Sequence, residues 1–145
     1  MPHSEESPAS ESHGKPLSGA VAHFRQSQLD FDLEFFDALL AHEPEYIDVL
    51  RCQAELLARQ GLHELSLPLD RRLTKLLPTD PYVHYNLACS QAMVGDRAGA
   101  LRTLRLALEL GYDDFELMRT DRDLSSVRDE PEYQALLRIF ASPDV

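Results

Sequence analysis

Tryptophan is absent from this sequence of 145 residues, cysteine occurs twice, and bases are outnumbered by acids, 14 to 25. Each shortage excludes something. Two cysteines far apart, Cys52 and Cys89, make no disulfide framework. They suit a reducing compartment, and a cytoplasmic location is the expectation. The deficit of bases leaves a formal charge of -11, which argues against a nucleic-acid binder with its basic footprint. Apolar runs last only a few residues, so no helix is expected to span a membrane. There is no Cys-x-x-Cys or His-Glu-x-x-His spacing, no Gly-rich phosphate loop, no nucleophile elbow and no triad pattern. No metal, cofactor or enzymatic activity is therefore expected.

What is there is unevenly charged. Residues 30–46 carry six acids and no base, and residues 113–145 carry nine acids and four bases, whereas 47–112 are close to neutral. Solvated helix faces account for this pattern, with basic partners at one end as the sharper alternative. Residues 1–16 hold almost nothing apolar and cannot offset their ordering entropy. Disorder is expected there, and a weak or frayed helix over 17–28, where Leu17, Val21 and Phe24 fall at helical spacing. Residues 1–28 thus read as a tail and 29–141 as a helical domain.

From Asp30 the helical signal is strong. Phe31, Phe35, Phe36, Leu39 and Leu40 form one apolar stripe that stops near His42, ahead of Pro44. A repeat follows. Pro44 and Pro78 are 34 residues apart, as are Gly61 and Gly95. Segments 47–80 and 81–114 share eight identities in register, among them Val49/Val83, Ala54/Ala88, Ala58/Ala92 and Leu76/Leu110. A fixed period of this length signals stacked helix pairs. The first unit parses as a helix over 46–59, a turn at Gly61 and a helix to about 77. The second opens at Asp80-Pro81, a capping residue ahead of a first-turn proline. It turns at Gly95, is capped again by Asp96 and closes at Gly111. Pro68 interrupts the second helix of the first unit, so a kink or a late start is expected there.

These residues resemble the tetratricopeptide repeat (TPR) family. Leu87, Ala88, Gly95, Ala100, Leu104, Ala107 and Leu108 match its pattern in the second repeat, with Tyr112 where a closing proline usually stands. Leu50, Ala54, Leu57, Gly61, Leu73 and Pro78 match in the first, where Ser66 replaces the usual alanine and Asp70 a large apolar residue. Phe36, Leu39 and Leu40 resemble the end of a preceding repeat. Residues 115–141 resemble the degenerate closing unit of bacterial members, on Asp121, Asp123, Leu124, Val127, Arg128, Pro131, Tyr133 and Leu136. The resemblance implies an all-α fold: antiparallel helix pairs in a right-handed superhelical solenoid, two full repeats between caps at 29–46 and 115–141. Such an array stacks layers to bury a shared core and needs polar outer ends.

By position, the resemblance assigns a concave face to Arg51, Glu55, Arg59, Tyr82, Tyr85, Asn86, Cys89, Met93 and Arg119, with Asp48, Cys52 and Glu116 beside them. Tyrosine offers rigid contact area and arginine a fork for carboxylates. The implied function is a non-enzymatic adaptor that binds a protein or peptide segment there. The alternatives are a dedicated chaperone or regulatory subunit for one client, or a self-assembling module. The family's two-carboxylate clamp is not expected, because only Asn86 matches it and Glu55 stands in place of an asparagine. Asp121, Asp123, Glu130 and Glu132 are read as helix-capping rather than catalytic carboxylates, with Asp123 capping a turn over 124–128 and Glu130 a helix opening at Pro131.

Overall fold

The computed structural model describes residues 15–142. The expectation of disorder over 1–16 thus falls largely outside the described residues. Those residues are all-helical, with no strand among them. The helices are α1 (Lys15–His42), α2 (Ile47–Arg59), α3 (His63–Leu76), α4 (Pro81–Met93), α5 (Arg97–Glu109), α6 (Phe115–Thr120) and α7 (Pro131–Phe140), with a 3₁₀ turn at Arg122–Leu124 between the last two.

Helix α1 begins at Lys15, well before Asp30, so no break in secondary structure marks residue 28. Helical spacing does not mean burial here: Val21, Phe24 and Phe31 are exposed rather than gathered on a buried stripe. The described residues divide into two compact units at Phe35/Phe36. The first is the opening part of α1. The second, from Phe36 onward, holds all that follows.

Within the second unit the helices meet their sequence neighbours: α2 packs on α3, α3 on α4, α4 on α5, and the 3₁₀ turn on α4. Local chemistry sets the ends. The Asp80 carboxylate accepts the Tyr82 amide at 2.9 Å, with Pro81 in the first turn of α4. Asp96 accepts the Gly99 amide at 3.0 Å and Asp114 the Leu117 amide at 3.0 Å. Each satisfies a backbone donor that a helix start leaves free. Gly61, Gly95 and Gly111 follow α2, α4 and α5 at φ of 75°, 91° and 109°, the left-handed region that closes a helix and that side-chain-bearing residues rarely enter.

Three local expectations need correction. Helix α3 starts at His63 and runs through Pro68. It does not wait for the proline, and it packs against both α2 and α4. The 3₁₀ turn is capped by Asp121, which accepts the Asp123 amide at 3.0 Å, not by Asp123. Glu130 precedes α7 without a side-chain capping bond and faces Arg97 at 3.9 Å instead.

The core has two parts. The larger gathers Ala88, Ala100, Leu104 and Ala107 of α4 and α5 with Met118, Leu124, Val127 and Tyr133 of the closing segment. Ala100 and Ala107 are 1% and 0% exposed, so a longer side chain at either has no room. Tyr133, fully buried, donates its hydroxyl to the Met118 carbonyl and ties α7 to α6. The smaller part joins Leu50, Ala54, Leu73 and Val83 of α2, α3 and α4.

Candidate functional site

A cavity of about 580 Å³ opens along the second unit. Helix α2 supplies one wall with Arg51, Glu55 and Arg59; α4 supplies the middle with Tyr82, Tyr85, Asn86 and Cys89; Asp114, Leu117, Asp121 and Asp123 supply the other wall. The stripe on α2 (51, 55, 59) and that on α4 (82, 86, 89) each follow helical spacing. They share a groove because α3 packs between them.

The expected site residues fall into two groups. Arg51, Glu55, Arg59, Tyr82, Tyr85, Asn86 and Cys89 all line the groove. Met93 and Arg119 do not. The 3₁₀ turn packs on α4, and Ser126 Oγ reaches the Ala92 carbonyl at 3.3 Å, so the groove ends before Met93. Arg119 lies beside a separate, shallow depression with Gln134, Leu137 and Arg138. Asp48, Cys52 and Glu116 are exposed and outside the groove lining.

Not every lining residue is open to a ligand. Tyr82 is 59% exposed, whereas Tyr85 is 4% and Cys89 6%. The Tyr85 ring stacks on Tyr112 with centroids 4.1 Å apart and planes 5° from parallel. Its hydroxyl donates to Asp121 Oδ2 at 2.8 Å, and Cys89 Sγ donates to the same oxygen at 3.8 Å. Tyr82 meets Tyr112 edge to face at 5.8 Å. Tyr85 and Cys89 thus build the floor, and Tyr82 and Asn86 present themselves above it. Arg51 is partly committed as well, bound to the Asp80 carboxylate at 2.8 Å.

Burial governs the electrostatics of the floor. It pushes the Cys89 thiol well above its ordinary value, aided by the charges of Asp121 and Asp123. It likewise raises Tyr85 and Tyr112. These groups stay protonated and act as donors, not nucleophiles. Asp123 is raised by burial and by the neighbouring Asp121 charge.

Sequence reasoning missed a second polar cluster under the groove. Ser90 of α4 donates to Asp70 of α3 at 2.6 Å, and the Ser66 and Ser90 hydroxyls are 3.1 Å apart. All three are buried. Desolvation raises the Asp70 carboxyl from 3.8 to about 6, against the Ser90 bond and the His63 charge, which both lower it. The signal was in the sequence, since Ser66 and Asp70 occupy positions where the repeat pattern wants apolar side chains.

Cys89, Asp121 and Asp123 bring their ligand atoms within 4.8 Å of one another. A metal there would have to displace the Cys89 proton and compete with Tyr85 for Asp121, and three ligands fall short of a closed structural zinc set.

Among known proteins, a stretch of 56 residues, 39% of this chain, is 36% identical to a chloroplastic protein of Arabidopsis thaliana. The stretch corresponds to 17% of that protein's length. No family model matches the chain, and no solved structure matches it. No helix among the described residues is long and apolar enough to cross a membrane.

Proposed function

We propose that this chain is a non-enzymatic interaction module of TPR type: two helix pairs, α2–α3 and α4–α5, stacked as a short right-handed solenoid between a cap from the end of α1 and an α6–α7 cap, which holds a segment of a partner protein in the groove over α2 and α4. The observation that carries the reading is the groove itself. Residues spaced by the repeat on two different helices line one cavity, with an exposed tyrosine and asparagine at its mouth. Large apolar and polar groups converging on a concave surface are what peptide recognition needs. The thiol and phenols beneath it are buried and protonated and supply no nucleophile, which favours binding over chemistry. The acidic lining disfavours nucleic acid.

A second reading, self-association, rests on Val21, Phe24 and Phe31, which α1 leaves 45%, 69% and 65% exposed. Capture of partners from native lysate with the wild type and with Tyr82→Ala/Asn86→Ala separates the two. Both side chains are exposed, so the variant is expected to melt with the wild type. A protein bound by the wild type and lost from the variant supports the groove. A partner that ignores the variant places recognition elsewhere, and recovery of the same chain alone favours self-association.

A further inference from the structure

The groove is electrically lopsided. Asp114, Asp121 and Asp123 line the wall at the α6 side, and no base does. On the α2 side Arg51 is neutralised by Asp80, and Arg59 is accompanied by Glu55. Asp121 spends both oxygens internally, Oδ2 on Tyr85 and Cys89 and Oδ1 on the Asp123 amide. The Asp123 carboxylate has no such hydrogen bond among the described residues and sits half-buried beside a like charge; both make it costly to ionise, and the His63 charge offsets this only in part. Tyr82 offers exposed aromatic surface in the same groove, while Tyr112 is buried behind it against Tyr85.

We infer that the occupant of the groove is a partner segment carrying a lysine or arginine, whose alkyl stem lies along Tyr82 and whose cationic head is paired by Asp123. This rests on the reading of the groove as the interface. The side chain fits on three counts. A cation relieves the Asp121–Asp123 repulsion. It gains from the exposed Tyr82 ring. Its stem covers apolar surface while the charge reaches the carboxylate. Charge also excludes the nearest competitors. Residues 1–14 of this chain carry three glutamates and no lysine or arginine, and a second copy brings another -11. Both would be repelled by the α6 wall.

The test selects random displayed peptides of about a dozen residues on the full chain, in EDTA so that no metal bridges the acids. Enriched peptides are expected to share a lysine or arginine. Their affinity should fall about tenfold for Asp123→Asn, the loss expected of one semi-buried charge pair, and should fall as salt is raised. Asp123 donates only its backbone amide to the fold, and its side chain is costly to ionise there, so Asp123→Asn is expected to keep the fold and to melt no lower than the wild type. Asp123→Lys should turn the selection towards acidic peptides. Enrichment of peptides without a basic residue, or of basic peptides indifferent to Asp123→Asn, overturns the inference. If those same peptides are lost from Tyr82→Ala, the groove remains the interface and only its occupant was misread. If Tyr82→Ala also leaves them bound, or if nothing is enriched, the groove reading falls too.

Discussion

Replacing Asp70 by asparagine isolates the energetics of the buried polar cluster. The wild-type carboxyl is 4% exposed and accepts a hydrogen bond from one side chain, Ser90. Its folded-state value of about 6, against 3.8 for the free group, means that folding opposes its ionisation. The corresponding stability is fully present below about 3.8 and is lost as the pH rises through about 6. At about 1.4 kcal/mol for each tenfold of acidity, the loss comes to about 3 kcal/mol once the carboxyl is ionised. Asparagine keeps the shape and the acceptor for Ser90 and cannot ionise. Asp70→Asn should therefore match the wild type within about 1 kcal/mol at pH 4 and exceed it by about 2–3 kcal/mol at pH 7. Urea unfolding of both proteins across this range reads the difference, because titrating groups that do not interact with Asp70 cancel. A gap that stays constant with pH, or one that favours the wild type at pH 7, would refute the assignment of a desolvated carboxyl at this site.

Two further outcomes follow from the packing. Ala100→Leu should lower stability by about 1–3 kcal/mol through overpacking between α4 and α5, read as a drop in melting temperature; an unchanged melting temperature would remove Ala100 from the tight part of the core. Iodoacetamide should label Cys52, which is exposed, well before Cys89, whose thiol is buried and held protonated. Equal labelling by mass spectrometry in the folded protein would show that the groove floor opens freely.

The parts of the fold that were legible are those with local causes. Asp80 ahead of Pro81, Asp96 ahead of α5 and the glycines after α2, α4 and α5 act within one turn of chain, and their spacing alone announced the helix ends. The early part of α1 was legible only as a weak or frayed helix over 17–28, from the spacing of Leu17, Val21 and Phe24; its continuity with the stretch from Asp30 was not. The groove residues of α2 and α4 were legible in part through the repeat: Arg51 and Glu55 and their equivalents Tyr85 and Cys89 line it together, whereas Asp48 and Cys52, the equivalents of Tyr82 and Asn86, do not. The far wall was not. Tyr112, Asp114, Asp121 and Asp123 come from linkers and a 3₁₀ turn, where periodicity carries no information, and only the packing of that turn on α4 brings them to the site. The same packing ends the groove before Met93, and Arg119 lies instead beside the α7 residues Gln134, Leu137 and Arg138.

The central claim is that this chain works by holding another protein's segment between α2, α4 and the α6 wall. Amide chemical-shift mapping of the full chain, titrated with the tightest selected peptide, tests it most directly. The account predicts that the largest shifts fall on Glu55, Arg59, Tyr82, Asn86, Leu117 and Asp123, and that they vanish in Tyr82→Ala. Shifts concentrated instead around Leu65 of α3 and Leu106 of α5, both exposed and outside the groove, would contradict it.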